Sequence, residues 1–215
     1  TTYYSISSTQ NGTLLFGNEK GEVLEQLHNS LISHRVNTDW VRNIIISQNK
    51  LFTFSDGGTF INYHKELQYQ GDTLRAKSVY AINDTTIIMA NPDGIFRVNT
   101  ISENVQFIFK PENEVSSLTS SDGNILYLGS NFGLSTYDLR TKIYHELLVK
   151  EQIASLCVTR DSILWAGTET NGILAIKDDH IIAHISGNYG LKSTSVTAIT
   201  SGKPGVVWAG TLAGI

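Results

Sequence analysis

Apolar residues along this chain fall in short runs of no more than four positions, separated by polar turns, and nowhere recur at three-and-four spacing over ten or more residues. That pattern predicts strands and leaves almost no room for helix. One type of run ends in a small residue, passes through a polar turn and reaches a glycine. It is found at Leu14 to Gly17 before Gly21, Leu51 to Phe54 before Gly58, Ile87 to Ala90 before Gly94, Leu126 to Gly129 before Gly133, Leu164 to Gly167 before Gly172, and Val207 to Gly210 before Gly214. The last residues of these runs, at 17, 54, 90, 129, 167 and 210, lie 37, 36, 39, 38 and 43 positions apart, the period of a propeller blade.

Each run, here a B strand, follows another β-rich segment, the A strand: Tyr3 to Ser8, Val41 to Ser47, Ser78 to Ile82, Val115 to Thr119, Ile153 to Thr159 and Val196 to Thr200. Every A-to-B connection carries Asn, Asp or Gly, as in Gln10-Asn11-Gly12 and Asp122-Gly123-Asn124, residues that tolerate the left-handed conformations of tight hairpins. The glycine after each B strand opens a C strand, clearest in Gly133 to Asp138. A fourth, outer D strand follows, for example Val105 to Phe109, Ile143 to Leu148 and Ile181 to Ile185. The expected architecture is an all-β propeller of four-stranded antiparallel blades, five complete and the first half of a sixth, forming one domain over residues 1–215. Strand content above about 40% is expected, against the usual 20–25%. Leu67 to Thr73, with Gln, Gly and Asp, predicts a short or irregular outer strand in the second blade. The sixth blade stops at Ile215 before its C strand, so an incomplete ring is expected, with strand edges at both ends open to pairing.

Ile163-Leu164-Trp165-Ala166-Gly167-Thr168, Val206-Val207-Trp208-Ala209-Gly210-Thr211 and Gly133-Leu134-Ser135-Thr136-Tyr137-Asp138-Leu139-Arg140-Thr141 resemble two-component regulator propeller repeats. The likeness covers the whole chain, with Phe54 and Ala90 standing where the family usually has glycine. Such repeats typically build extracytoplasmic sensor regions of bacterial hybrid histidine kinases. The resemblance therefore implies a periplasmic, non-enzymatic module of a membrane-anchored parent that senses a ligand and passes a signal to a kinase or regulator outside this chain.

Composition narrows the chemistry. Sixteen basic against twenty acidic residues give a net charge of −4, which favours no nucleic-acid partner. No apolar run approaches the roughly 20 residues of a membrane span. Thr1 in place of an initiator Met, and the lack of a signal-peptide pattern, describe a processed or cut product. The single cysteine, Cys157, sits in an apolar stretch that reads as core. His180 and His184 have helical metal-ligand spacing, but on a strand they stand about 13 Å apart at ~3.3 Å per residue, so no metal is expected there. Asp93-Gly94 and Asp122-Gly123-Asn124 lack the alternating oxygen series of a calcium loop and read as turns. Asn11-Gly12-Thr13 and Asn83-Asp84-Thr85 match glycosylation sequons but fall in turns where Asn is common anyway. Trp165 and Trp208, at equivalent B-strand positions, read as packing between blades. No cofactor is expected.

In an up-and-down blade all B-to-C turns emerge at the same end as the D-to-A connections. That end collects Asn18, Glu19, Lys20, Asp56, Asn91, Asp93, Asn131, Phe132, Glu169, Thr170 and Asn171, turn residues that vary between copies while the strand residues repeat. The expected ligand is a carbohydrate or another small polar molecule. Two other classes stay open: a scaffold for a protein partner or homodimer, and a glycan-acting enzyme using the recurring carboxylates Glu19, Asp56, Asp93 and Glu169.

Overall fold

A computed structural model describes residues 2–215. More than half of them lie in strands, and the only helical segment among the described residues is a three-residue 3-10 turn at Gly187–Tyr189. The chain divides into two compact units, one ending at Lys110 and one beginning at Pro111.

The first unit holds three four-stranded antiparallel sheets, each a simple meander. They are β1 (Tyr3–Ser8), β2 (Leu14–Asn18), β3 (Glu22–Leu27) and β4 (Ser30–Arg35); then β5 (Val41–Ser47), β6 (Lys50–Ser55), β7 (Gly58–Ile61) and β8 (Lys65–Glu66); and, after a small hairpin of β9 (Gln68–Tyr69) and β10 (Asp72–Thr73), β11 (Ser78–Asn83), β12 (Thr86–Asn91), β13 (Gly94–Asn99) and β14 (Val105–Phe109). The second unit holds β15 (Val115–Ser120), β16 (Ile125–Ser130), β17 (Gly133–Asp138) and β18 (Tyr144–Glu146); β19 (Ile153–Val158), β20 (Leu164–Thr168), β21 (Ile173–Lys177) and β22 (His180–Ile185); and a two-stranded sheet of β23 (Val196–Ser201) and β24 (Val207–Thr211).

The burial pattern follows strand position. B and C strands such as β12 and β21 are buried on both faces, which is why they read as nearly unbroken apolar runs. The outer β22 is exposed almost throughout. Neighbouring sheets stack their faces within each unit. Phe52, Phe54 and Ile61 of the second sheet interlock with Ile87, Met89, Phe96 and Val98 of the third, and Leu134 and Leu147 of the fourth meet Ile153, Leu156 and Leu164 of the fifth. Truncating a fully buried ring such as Phe52 to Ala should cost about 3–5 kcal/mol.

The small residue ending each B strand has a packing reason. A Cβ on Gly17 would lie 2.6 Å from Val41 Cγ1, on Gly129 2.5 Å from Ile153 Cγ2, and on Gly167 2.7 Å from Val196 Cγ1, the first residue of the next A strand in each case. Where the B strand of the second sheet ends in buried Phe54 instead, the next A strand begins with Ser78, so bulk lost on one side is restored on the other. A register shift two residues into the A strand recurs at Tyr3/Ser5, Val41/Asn43, Val115/Ser117, Ile153/Ser155 and Val196/Ala198. It frees serines to reach the following sheet: Ser117 Oγ accepts from the Leu156 N–H at 2.9 Å, and Ser155 Oγ from the Ile199 N–H at 2.9 Å.

Three expectations need correction. The outer strand of the second sheet is the two-residue β8, and the segment expected as an irregular outer strand forms its own hairpin, turned by Gln70 at φ 54° and Gly71 at φ 94°. That hairpin drives Leu67 and Leu74 into the core. Only Tyr144–Glu146 of the expected Ile143 to Leu148 strand pairs, because Leu147 turns inward onto Leu134. Trp165 packs beside Val196 and Ile199 as expected, with Cys157 half-buried next to it rather than fully enclosed, but Trp208 is 57% exposed.

Candidate functional site

The B-to-C turns place the residues singled out from the sequence, and their side chains divide into two groups. Three asparagines are consumed by hydrogen bonds inside the protein, two of them within their own turns. Asn18, 1% exposed, accepts from the N–H groups of Lys20 and Glu22 at 2.9 and 3.0 Å and donates to Glu22 Oε2 at 2.8 Å. Asn91, 7% exposed, accepts from Asp93 and Gly94 and donates to the Arg75 carbonyl. Asn171 donates to Glu151 Oε1 at 2.9 Å while its carbonyl meets His184 Nε2. Lys20, Asp93, Asn131, Glu169 and Thr170 point outward and are exposed, and Phe132 is 69% exposed. Phe132 borders a shallow cavity of about 140 Å³ shared with Asn113, Glu146 and Lys150. His180, on β22, holds the Asp178 carbonyl, a turn contact.

Around Asp56 the first unit builds a denser constellation. Arg42 approaches Asp56 in a bidentate pair, with Nη2 donating to Oδ2 at 2.9 Å, and this hydrogen bond raises the guanidinium's pKa above its ordinary value. The Arg42 guanidinium also lies 5.1 Å from the Trp40 ring centroid. Trp40, 42% exposed, stacks in turn on Tyr4 at 4.8 Å and 11°. Glu19 stands on the neighbouring turn, where the Thr2 N–H donates to its carboxylate and holds its pKa below the usual value. An aromatic pair, a cation and two carboxylates thus share one end of two adjacent sheets. Tyr4, Trp40 and Arg42 were not anticipated. Trp40 ends the connection before β5, and Tyr4 and Arg42 are the second residues of β1 and β5, so the rule that puts D-to-A connections at this end would have found them had it been applied to those connections and carried into the strands.

The opposite end of the first unit holds a cavity of about 770 Å³, within the range of small-molecule pockets. It opens among the A-to-B turns of all three sheets, from Asn11, Gln48, Asn49 and Asp84, with Asn62 and Tyr63 of the β7-to-β8 turn on one wall. None of the eleven residues chosen from the sequence lines it.

No family model and no curated protein matches the chain. Solved structures do. The WD40 β-propeller domain of Doa1 superposes with a TM-score of 0.77 at 12% identity, over 98% of this chain and 75% of that one. The extracellular domain of the putative hybrid two component system BT4673 from B. thetaiotaomicron superposes with a TM-score of 0.62 at 16% identity, over 97% of this chain and 36% of that one. A second structure, described as the extracellular domain of the putative one component system BT4673, gives 0.57 at 16% identity, over 97% and 37%. The chain therefore spans just over a third of the BT4673 structures it matches. At these identities the likeness concerns the fold, which is that of a β-propeller.

Proposed function

We propose that this chain is a non-enzymatic sensor propeller of a bacterial two-component regulator, held outside the cytoplasm by a membrane-anchored parent. It recognises a carbohydrate or another small polar ligand at the B-to-C end and passes the signal to a kinase or regulator part outside these residues. The observation that carries the reading is the Tyr4, Trp40, Arg42 and Asp56 constellation. Exposed aromatic surface suits the C–H face of a sugar ring, and a paired guanidinium and carboxylate can both donate to and accept from hydroxyls. The match to extracellular domains of a hybrid two-component system supports the context, and so do the repeats that resemble that propeller family. The carboxylates at this end are engaged by Arg42 or by backbone, or stand apart on separate turns, which favours recognition over acid–base catalysis. The test is ligand-dependent signalling by the intact parent with Trp40→Ala and with Asn131, Phe132, Glu169 and Asn171 replaced by Ala. Loss of the response by more than tenfold in the Trp40 variant is expected, and an unchanged dose–response in both variants would refute the reading.

A scaffold role has one observation in its favour. The first sheet exposes Tyr3 and Leu31 along an apolar groove of about 530 Å³. If that groove holds a second copy or another protein, Leu31→Glu should abolish the association seen by light scattering.

A further inference from the structure

We infer that the cavity among the A-to-B turns of the first unit is a second ligand site, selective for a small hydroxyl-bearing molecule that carries an ammonium group. Its floor is apolar, made by Leu15, Ile46 and Leu51, the upper edge of the core that also contains Val23 and Val41. Its rim is hydrogen-bonding: the side-chain amides of Gln10, Gln48 and Asn49 make no hydrogen bond among the described residues, so donors and acceptors stand ready around the mouth. An apolar base under a ring of free amides suits a compact molecule with one apolar face and several hydroxyls.

Charge decides the class. Two carboxylates, Glu25 and Asp84, belong to the lining. Its cation, Lys50, is engaged elsewhere, donating to the Ile101 carbonyl at 2.9 Å and to Glu103 Oε1 at 2.6 Å. With Lys50 paired to Glu103, the remaining charged side chains of the lining, Glu25 and Asp84, are both carboxylates. Glu25 is also the fixed group of the site. Its Oε2 lies 3.0 Å from His34 Nε2, and the His34 ring stacks on Tyr63 at 4.4 Å and 6°. Tyr63, packed on the core, has its hydroxyl pKa raised by burial and then by the Glu25 charge. With Oε2 held, Oε1 is left as a positioned acceptor for an ammonium group, a charge-assisted bond about twice as strong as a neutral one. The site shares no residue with the Trp40 constellation, so the two can fail separately.

The experiment titrates the folded chain calorimetrically with the β-1,4-linked glucosamine disaccharide and with cellobiose, its neutral isostere bearing hydroxyls in place of the amines. The amine is expected to bind about tenfold tighter, and Glu25→Gln should erase that preference. Gln10→Lys, which sets a cation on the rim without touching the core, should weaken the amine selectively, whereas Asp179→Asn, which makes the net charge more positive by the same amount in a turn of the second unit, should change nothing. Equal affinity for the two sugars, no binding of the amine, or an amine preference that survives both Glu25→Gln and Gln10→Lys would overturn the inference. Cellobiose binding that is lost in Trp40→Ala but kept in Glu25→Gln would leave the sensor reading at the other end standing alone.

Discussion

At the B-to-C end of the sheets, turn side chains fold back on their own backbone. Asn18 and Asn91 each satisfy two N–H groups, Ser130 accepts from the Phe132 N–H, and Thr168 accepts from the Asn171 N–H. At the A-to-B end of the first unit capping is partial: Thr9 Oγ1 accepts from the Thr13 N–H and Asn83 Oδ1 from the Thr85 N–H, while Gln10, Gln48 and Asn49 line the cavity. The difference follows from what each turn must span. A B-to-C turn is tucked under the connection to the next sheet, as Gly21 is under Asn37, so its backbone is buried and must be satisfied internally. An A-to-B turn ends in solvent, where water satisfies it and side chains stay available. On the proposed reading, recognition at the first end draws on residues beside the turns, such as Trp40, and on exposed turn residues such as Phe132, and at the second end on the turns themselves.

The largest expected contrast is at glycine. Gly133 opens β17 at φ +141°, and a Cβ there would lie 2.2 Å from the Val149 carbonyl oxygen, a backbone atom that cannot swing aside. Gly133→Ala should cost about 3 kcal/mol or more, from strain and clash together. Gly12, in an A-to-B turn at φ +84°, has nothing within 4 Å of that position, and Gly12→Ala should cost only about 1 kcal/mol. Urea-denaturation midpoints of the two variants check this, and equal losses would break the distinction between a covered and an open end.

A smaller contrast separates the polar turn residues. Asn18→Ala removes the acceptor of two half-buried N–H groups and should lose about 1–2 kcal/mol. Gln10→Ala, on the open rim, should stay within about 0.5 kcal/mol of the parent. Thermal melts suffice to separate them.

How much of this was legible in the sequence varies with the range of the interaction. Strand order and the turn glycines are local, and the A, B and C strands of all five four-stranded meanders lie where the repeat put them. The eleven candidate residues do occupy the B-to-C turns, but sequence could not show that Asn18 and Asn91 would be spent as caps and Asn171 on Glu151, since Asn in a turn reads the same whatever its amide faces. The exposure of Trp208 was likewise hidden, because its B strand repeats that of Trp165 and only the surroundings differ. The cavity was least legible of all. It depends on three A-to-B turns from three sheets converging, with Tyr63 held by a stack on His34 from another sheet, and no spacing in the chain encodes that approach.

The smallest expected effect concerns what holds the open end together. Glu103, in the turn between β13 and β14, receives the ammonium groups of both Lys50 and Lys65 from the second sheet, so one carboxylate ties the A-to-B end of two sheets. These hydrogen bonds lower its pKa below the ordinary glutamate value. A carboxylate whose pKa is depressed on folding binds fewer protons folded than unfolded around that value. Its contribution is therefore complete above the unfolded pKa, about 4.3, and disappears as pH falls through the lower folded one. The side chain is 18% exposed and one of its lysines is largely in solvent, so screening keeps the contribution to about 1 kcal/mol or less. Glu103→Gln should accordingly lose up to about 1 kcal/mol at pH 7 and show a shallower fall in stability between about pH 5 and pH 3 than the parent. Hydrogen exchange should place the loosening at β6, β7 and their turns while the amides bonded to Asn18 and Asn91 stay protected. Equal loosening at both ends would mean that the clamp stabilises the sheets as a whole, and that the open end owes its shape to the core beneath it.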